Sequence, residues 1–389
     1  MCKTYTKEWI FLNEKKRLSI KGAILDKAQL ENYLEKIASD HILTEKSSKE
    51  TYPLPRLKEN FFVIKEVYKL LNEQIKQSIP IHPAGEWILD NLYIIEEVVK
   101  SISKELTLKK YTNFLGLANG RYKGFARVYV LATEMVAYTD GKINSENLEE
   151  MLKAYQTKKT LSMNEIWSIG LFIQIALIEN IREICETIYM SQLQKYKVEN
   201  ILAKFFDEEK KKNRVLQLNR ISQIKTNQMK NAFVEYMSYK LKKYGSQAYP
   251  YLNILEEEVA KTGSDISEIV KKEHFDIAVK KVSIGNSIIS LKTMSRINFL
   301  EIFERINRVE DILKQDPVGQ YQLMDGDTKT YYRNAIAEIS KKTKISEIYI
   351  AKKCLELAQK EEQNEKKKHI GYYLISDGKE ELLNNLLDK

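Results

Sequence analysis

The residues with the most chemistry in reach are acids set beside aromatic and basic side chains. In the stretch Ala84-Gly85-Glu86-Trp87-Ile88-Leu89-Asp90-Asn91, Glu86 and Asp90 fall one helical turn apart on a polar edge. With Glu165 and Glu179 they make a set of carboxylates from which a glycoside-hydrolysing site can draw a general acid and a general base. Sequence spacing selects no pair, because the separation that matters is spatial. Arg127 adds a cation and Tyr129 an aromatic ring, and with Glu86 and Trp87 they are candidates for a sugar or domain contact. Asp325-Gly326-Asp327 spells D-x-D, a pairing that holds a divalent ion on a nucleotide diphosphate when it follows a strand of an α/β domain. Here the flanks are helical, and the pattern fits a turn that caps a helix starting near Thr328. Asp325 and Asp327 are the weak candidates for a metal, and no metal site is expected.

Other groups point away from chemistry. His41, His82, His274 and His369 are far apart and lack zinc-ligand spacing, and Cys2, Cys185 and Cys354 are too few and too dispersed for a disulfide framework. Gly116, Asn119-Gly120 and Gly124 accompany Arg121, Lys123 and Arg127 in a turn-rich loop. It suggests an anion cradle but has neither the order of a P-loop nor a preceding strand. Ser162-Met163-Asn164-Glu165 has capping-box spacing, which makes Glu165 a helix cap. Gln174, Glu179 and Asn180 sit in or beside an apolar helix and require partners if buried. Tyr331-Tyr332 and Tyr372-Tyr373 read as half-buried packing residues.

These residues must be positioned by helices. Trp87, Asn91, Ile94 and Val98 lie beside a second stripe of Ile88, Leu92, Ile95 and Val99, giving a wide buried face. Apolar spacing predicts further helices over 27–39, 57–77, 126–138, 331–341 and 346–363, and an amphipathic core stretch over 283–311. The run from 205 to 243 alternates acid and base as one long exposed helix or a helix pair. Thr51 to Pro55 reads as an extended connector, while Asp140-Gly141 and Asp316-Pro317-Val318-Gly319 read as turns. The expected fold is all-α, a multi-helix bundle of two or three sub-domains. Its segments are a polar amino-terminal part (1–52), a helical core with the Glu86-Trp87 motif (53–200), a charged long-helix region (201–312) and a carboxy-terminal helical part (313–389).

Composition agrees with helix. Across 389 residues there are 14 Gly and 6 Pro, and 43% of the chain is hydrophobic, enough for a sizeable core. The three scattered cysteines suit a reducing compartment, and the first residues lack the apolar core of a signal peptide. The run from Ile166 to Ile178 is shorter than the ~20 residues that cross a bilayer. Net charge is +9, from 63 basic against 54 acidic residues, so the basic excess is thinly spread. Lys210-Lys211-Lys212, Arg214, Arg220 and Lys225 form its densest patch and support an alternative, a basic nucleic-acid-binding or protein-interaction module.

Taken in order, several stretches resemble one family. Ala84 to Asn91 with Ile95-Glu96-Glu97, Tyr122 to Ala132, Ala154-Tyr155-Gln156, Leu161 to Trp167 and Ala176 to Arg182 are similar to a segment near the start of the cyclic β-1,2-glucan synthases. So are Ser283 to Ile288, Phe303-Glu304-Arg305, Asp316 to Tyr321 and Met324-Asp325. The likeness covers residues from about 54 to 378. It departs at Gly326-Asp327, where the family pattern has an aromatic and a small residue, so the local D-x-D is not inherited machinery. The resemblance implies a soluble cytoplasmic region ahead of the membrane helices. In that family a processive glycosyltransferase using UDP-glucose and Mg²⁺ follows. The sequence in hand has no transmembrane run, no Gln-x-x-Arg-Trp type motif and no nucleotide-sugar fold. The expectation is therefore a non-catalytic helical region without cofactors of its own; an alternative that the resemblance suggests makes the Glu86, Asp90, Glu165 and Glu179 carboxylates a glucan-processing site. Its partners would be the transferase and membrane portion of the synthase and possibly the β-1,2-glucan, at the inner face of the cell membrane.

Overall fold

A computed structural model of the chain describes residues 22–206, 230–297 and 299–387. The basic patch from Lys210 to Lys225, Cys2 and most of the 205–243 run lie outside the described residues. Seventeen α-helices and one two-stranded antiparallel ladder, in which Leu43 pairs with Leu117 and Thr44 with Gly116, account for the regular structure among the described residues. The all-α expectation holds.

The chain forms two compact units, each discontinuous in sequence. The first is built from Leu43–Asn144 and Leu171–Arg296, together with residues 22–25. The second is built from Asp26–Ile42, Ser145–Gly170 and Ile297–Lys389.

In the first unit, α2 (Leu54–Lys76) and α3 (Gly85–Glu105) pack together, followed by α4 (Leu108–Thr112) and α5 (Arg127–Tyr138). Of the two α3 stripes, Ile88, Asn91, Ile95, Val98 and Val99 are buried, while Trp87, Leu92 and Ile94 are half-buried. Helix α7 runs from Met163 to Phe206, and its portion from Leu171 onward belongs to this unit. The ring of Phe172 stacks on Tyr129 at 5.6 Å and meets the Phe114 ring edge-on at 5.3 Å. The end of α7 joins α8 (Asn231–Lys243) and α9 (Tyr249–Ala260) in an apolar cluster of Val198, Leu202, Phe233, Met237 and Leu255. Helix α10 (Ile266–Met294) packs on α3 and α8, with the Asp265 carboxylate accepting the Glu268 N–H at 2.8 Å as its cap.

The second unit holds α1 (Lys27–Asp40) against α6 (Ser145–Gln156), the first turns of α7, α11 (Phe299–Ile306), α12 (Arg308–Leu313) and α13 (Gln320–Leu323). It continues through α14 (Gly326–Thr343), α15 (Glu347–Lys360), α16 (Ile370–Ile375) and α17 (Lys379–Leu387). The capping box at the start of α7 is formed. The Ser162 N–H donates to Glu165 Oε2 at 2.9 Å, and the Glu165 N–H donates to Ser162 Oγ at 3.4 Å.

Three expectations are corrected. Thr51 to Pro55 is not an extended connector: a 3-10 turn spans Lys49–Thr51 and α2 begins at Leu54, with Pro55 in its first turn. The ring costs nothing there, because the first N–H groups of a helix have no internal partner. The 283–311 stretch is not continuous, since α10 stops at Met294 and Asn307 caps a new helix by accepting the Val309 N–H at 2.9 Å. Of the tyrosine pair in α14, Tyr332 is buried but Tyr331 is 60% exposed.

Candidate functional site and its ion networks

Arg56 and Asn60 share one face of α2, and Glu179, Arg182 and Glu186 share one face of α7, so a row of donors meets a row of alternating charge. Arg56 donates from Nε to Glu179 Oε2 at 3.2 Å and from Nη2 to Oε1 at 2.8 Å. Asn60 Nδ2 donates to the same Oε2 at 2.5 Å, and Arg182 Nη1 reaches Oε1 at 3.5 Å while its Nη2 pairs with Glu186. The side chains of Glu179 and Arg182 are only 6% and 2% exposed. Two charges buried this far require this density of donors. Burial first, and then the Glu179 charge, push the Tyr129 hydroxyl far above its ordinary range, so this ring stays neutral.

Glu179 and Tyr129 are thus brought into one neighbourhood, deep in the first unit, where Arg127 is also buried. The Arg127 N–H donates to the Leu115 carbonyl at 2.8 Å, fixing the start of α5. Glu86 and Asp90 are exposed on α3. Glu86 lies 3.5 Å from Lys281, and the Trp87 ring covers Gly285, where an added Cβ would stand 3.0 Å from the indole. Trp87 therefore serves the contact between α3 and α10. The four acids of the glucan-processing reading have different local tasks: Glu86 in a surface pair, Asp90 in solvent, Glu165 in a cap and Glu179 in the ion network. The oxygens of Glu179 are occupied by guanidinium and amide donors, which suits holding two helices together better than passing a proton.

Partners also exist for the polar residues around Glu179. Asn180 Nδ2 donates to Ser287 Oγ at 2.9 Å, and Gln174 Nε2 reaches Ser295 Oγ at 3.4 Å. In the glycine-rich loop, Gly120 and Gly124 adopt φ of +69° and +87°, as its turns require. Arg121 is engaged with Glu134 at 3.2 Å and lies 4.4 Å from the Tyr122 ring. A cation committed in this way suits the turn more than a phosphate cradle.

Asp325 caps α14: its Oδ1 accepts the Thr328 N–H and its Oδ2 the Thr328 hydroxyl, both at 2.8 Å. These bonds hold its carboxyl below the usual carboxylate range. Asp327 sits in the first turn of the same helix. With both Asp325 oxygens engaged, the pair does not fit a site for a nucleotide-bound divalent ion. Among the described residues, no group of three or more His, Cys, Asp or Glu is placed to hold a metal.

Two further clusters escaped the sequence. In the second unit, Asp316 accepts the N–H groups of Gln320, Tyr321 and Ile370 at 3.1, 3.3 and 3.1 Å, and its Oδ2 lies 2.9 Å from His369 Nδ1. His369 Nε2 in turn lies 2.9 Å from the Tyr332 hydroxyl. Burial raises the Asp316 carboxyl, but the His369 and Ile370 hydrogen bonds outweigh it and hold it below the ordinary value. Beside this chain, Arg333 Nη1 and the Tyr321 hydroxyl both donate to Glu310 Oε2, at 2.9 and 2.7 Å. In the first unit, burial, with Lys195 and Lys280 nearby, lowers His82 to about 4, so the ring is neutral and its Nδ1 accepts the Ala84 N–H at 3.1 Å. No spacing signals the pairing of Asp316 with His369, because the two are 53 residues apart.

No helix among the described residues is long and apolar enough to cross a membrane. No family model matches the chain. The cyclic beta-(1,2)-glucan synthase NdvB of Rhizobium meliloti (strain 1021) is 22% identical over 308 residues, which cover 78% of this chain. The matched region is 10% of that relative's length. The resemblance drawn from separate short stretches therefore holds along most of the sequence, and this chain is similar to a region of a cyclic β-(1,2)-glucan synthase.

Proposed function

We propose that this chain acts in glucan biosynthesis as a helical scaffold of a cyclic β-(1,2)-glucan synthase system. It packs against the membrane-bound UDP-glucose glycosyltransferase and positions that enzyme or its growing glucan from the cytoplasmic side. UDP-glucose and its divalent ion belong to the transferase, and the scaffold contributes no reactive group. The observation that carries this reading is the similarity over 308 residues to one part of a much longer synthase. It is supported by an all-helical fold whose candidate acids join helices or cap them, as Glu179 and Glu165 do.

The test uses membranes from cells of the source organism that lack the chain. Supplied with labelled UDP-glucose and Mg²⁺, they should make less β-1,2-glucan, and adding the purified chain should restore the yield. Equal yields with and without the chain would overturn the proposal.

A further inference from the structure

Where α7 passes the end of α2, its buried side chains are polar. Asn60 of α2 meets Glu179 of α7, and Lys195 Nζ donates to the carbonyl of Pro80, just past the end of α2 at Lys76, so the two helices run in the same direction. At about 1.5 Å of rise per residue, Gln74 and Gln192 then lie at one level, both about 20 Å beyond the Asn60–Glu179 contact. Both are buried, Gln192 completely. Neither Oε1 nor Nε2 of Gln192 has a hydrogen-bond partner in the protein, and Gln74 Oε1 has none. Ser191 Oγ and Gln194 Oε1, buried in the same turn of α7, are also without one. Buried polar atoms are nearly always paired, so this concentration of unpaired ones points to a guest.

Buried charge is uncompensated in the same place. Lys195 follows Gln192 by one turn of α7 and is 7% exposed. Its ammonium has the Pro80 carbonyl at 3.3 Å and the Tyr236 ring at 5.6 Å, and it enters no ion pair among the described residues. Burial lowers it below the ordinary lysine range, with Glu235 and Glu273 acting against this only from farther away. Glu235 faces His274 at 3.6 Å, and burial raises the Glu273 carboxyl, which weakens it as a counter-charge. His82 stands two residues after Pro80. Its Nδ1 accepts the Ala84 N–H, so the proton of the neutral ring sits on Nε2, and that N–H donates to no group among the described residues. The charges that act on this ring, Lys195 and Lys280, are both positive.

Water would complete the glutamine amides, but it would leave a buried ammonium without a counter-charge, which is the costlier of the two. An anion answers both demands. The amides of Gln74 and Gln192 can turn Nε2 toward it, beside the Lys195 ammonium and the His82 Nε2–H. With Gln192 fully buried and Lys195 nearly so, the guest is monatomic in size.

We infer that Lys195, Gln192 and the Nε2–H of His82 hold a chloride ion where α2 ends against α7. The inference does not involve glucan, and its failure would leave the scaffold reading untouched.

Thermal melts of the full chain at constant ionic strength test it, with sodium gluconate replaced stepwise by sodium chloride, since gluconate is too large to enter. The melting temperature should rise by about 2 °C or more over about a hundredfold range of chloride. Lys195→Met fills similar space without the charge and should abolish the rise. Gln192→Met, which keeps the charge, should shrink it. General salt effects act on parent and variants alike, so the difference between them reads the site. Crystals soaked in sodium bromide should show an anomalous peak beside Lys195 Nζ and Gln192, which decides the matter even where Lys195→Met does not fold. Equal melting in chloride and gluconate, an equal rise in Lys195→Met, a rise with phosphate alone, or a water without anomalous signal at that position would overturn the inference.

Discussion

Arg56 grips Glu179 with two roughly parallel hydrogen bonds, at 3.2 and 2.8 Å, across the contact between α2 and α7. The pair is the centre of a buried group in which removing either charge takes away the other's nearest charged partner, leaving Glu179 with Arg182 at 3.5 Å or Arg56 with Glu59 at 3.7 Å. Glu179→Gln and Arg56→Met should each destabilise the protein by about 3–5 kcal/mol. The double variant Arg56→Met, Glu179→Gln should lose less than the sum of the two single losses, because the interaction these two residues share is then lost only once. Chemical denaturation of the four proteins in a cycle measures this coupling, and strict additivity would remove the network from the account.

His82 gives the first unit a dependence on acid. Its folded value is about 4, against an ordinary value of 6.5, so the unfolded chain binds the proton first as pH falls. Stability contributed by the neutral ring is fully present above about pH 6.5 and is lost as pH falls toward 4, by about 3 kcal/mol at most. His82→Asn keeps an acceptor for the Ala84 N–H and should flatten the stability profile across that window in thermal melts.

Glu347 works in the opposite sense in the second unit. Burial, with the Glu165 carboxylate nearby, raises it to about 7 from 4.5, although Oε2 accepts the Met163 N–H at 3.1 Å. The folded state therefore holds the proton longer than the unfolded state, and stability falls as pH rises from 4.5 through 7. Glu347→Gln should be more stable than the parent by roughly 1–2 kcal/mol near pH 8, and close to it near pH 4. Denaturation at the two pH values separates these outcomes.

Gly371 sits where no side chain fits. A Cβ there would stand 2.2 Å from the Tyr332 hydroxyl and 2.7 Å from His369 Nε2. Gly371→Ala should force the two rings apart and destabilise the protein by about 1–3 kcal/mol. The simultaneous change Tyr332→Phe, which removes the nearest clashing atom, should recover part of the loss. No recovery would place the strain elsewhere.

Local signals were legible in the sequence wherever one helix carried them. The stripes of α3, the Ser162–Glu165 cap, the Asp325 cap and the turns at Asp140-Gly141 and Asp316–Gly319 all follow from spacing within a few residues. The need for partners at Glu179 and Asn180 was also visible, because polar groups inside an apolar helix must be satisfied. Which partners they take was not. Arg56 is 123 residues from Glu179, Ser287 is 107 from Asn180, and periodicity carries no pairing information over such distances. The same limit hid the link from Asp316 through His369 to Tyr332. The exposure of Val279 and Val282 on α10 was invisible for a related reason: both read as apolar in sequence whether a neighbour covers them or not.

The central claim is that the acids and aromatics of this chain hold helices and leave sugar chemistry to a partner. The measurement that bears on it most directly is mass spectrometry of the purified chain, incubated alone with UDP-glucose and Mg²⁺ and, separately, with linear β-1,2-glucan. The account predicts intact UDP-glucose in the first sample and unchanged oligomer lengths in the second. New β-1,2-glucan, or shortened, lengthened or cyclised oligomers that disappear in Glu86→Gln or Asp90→Asn, would contradict it.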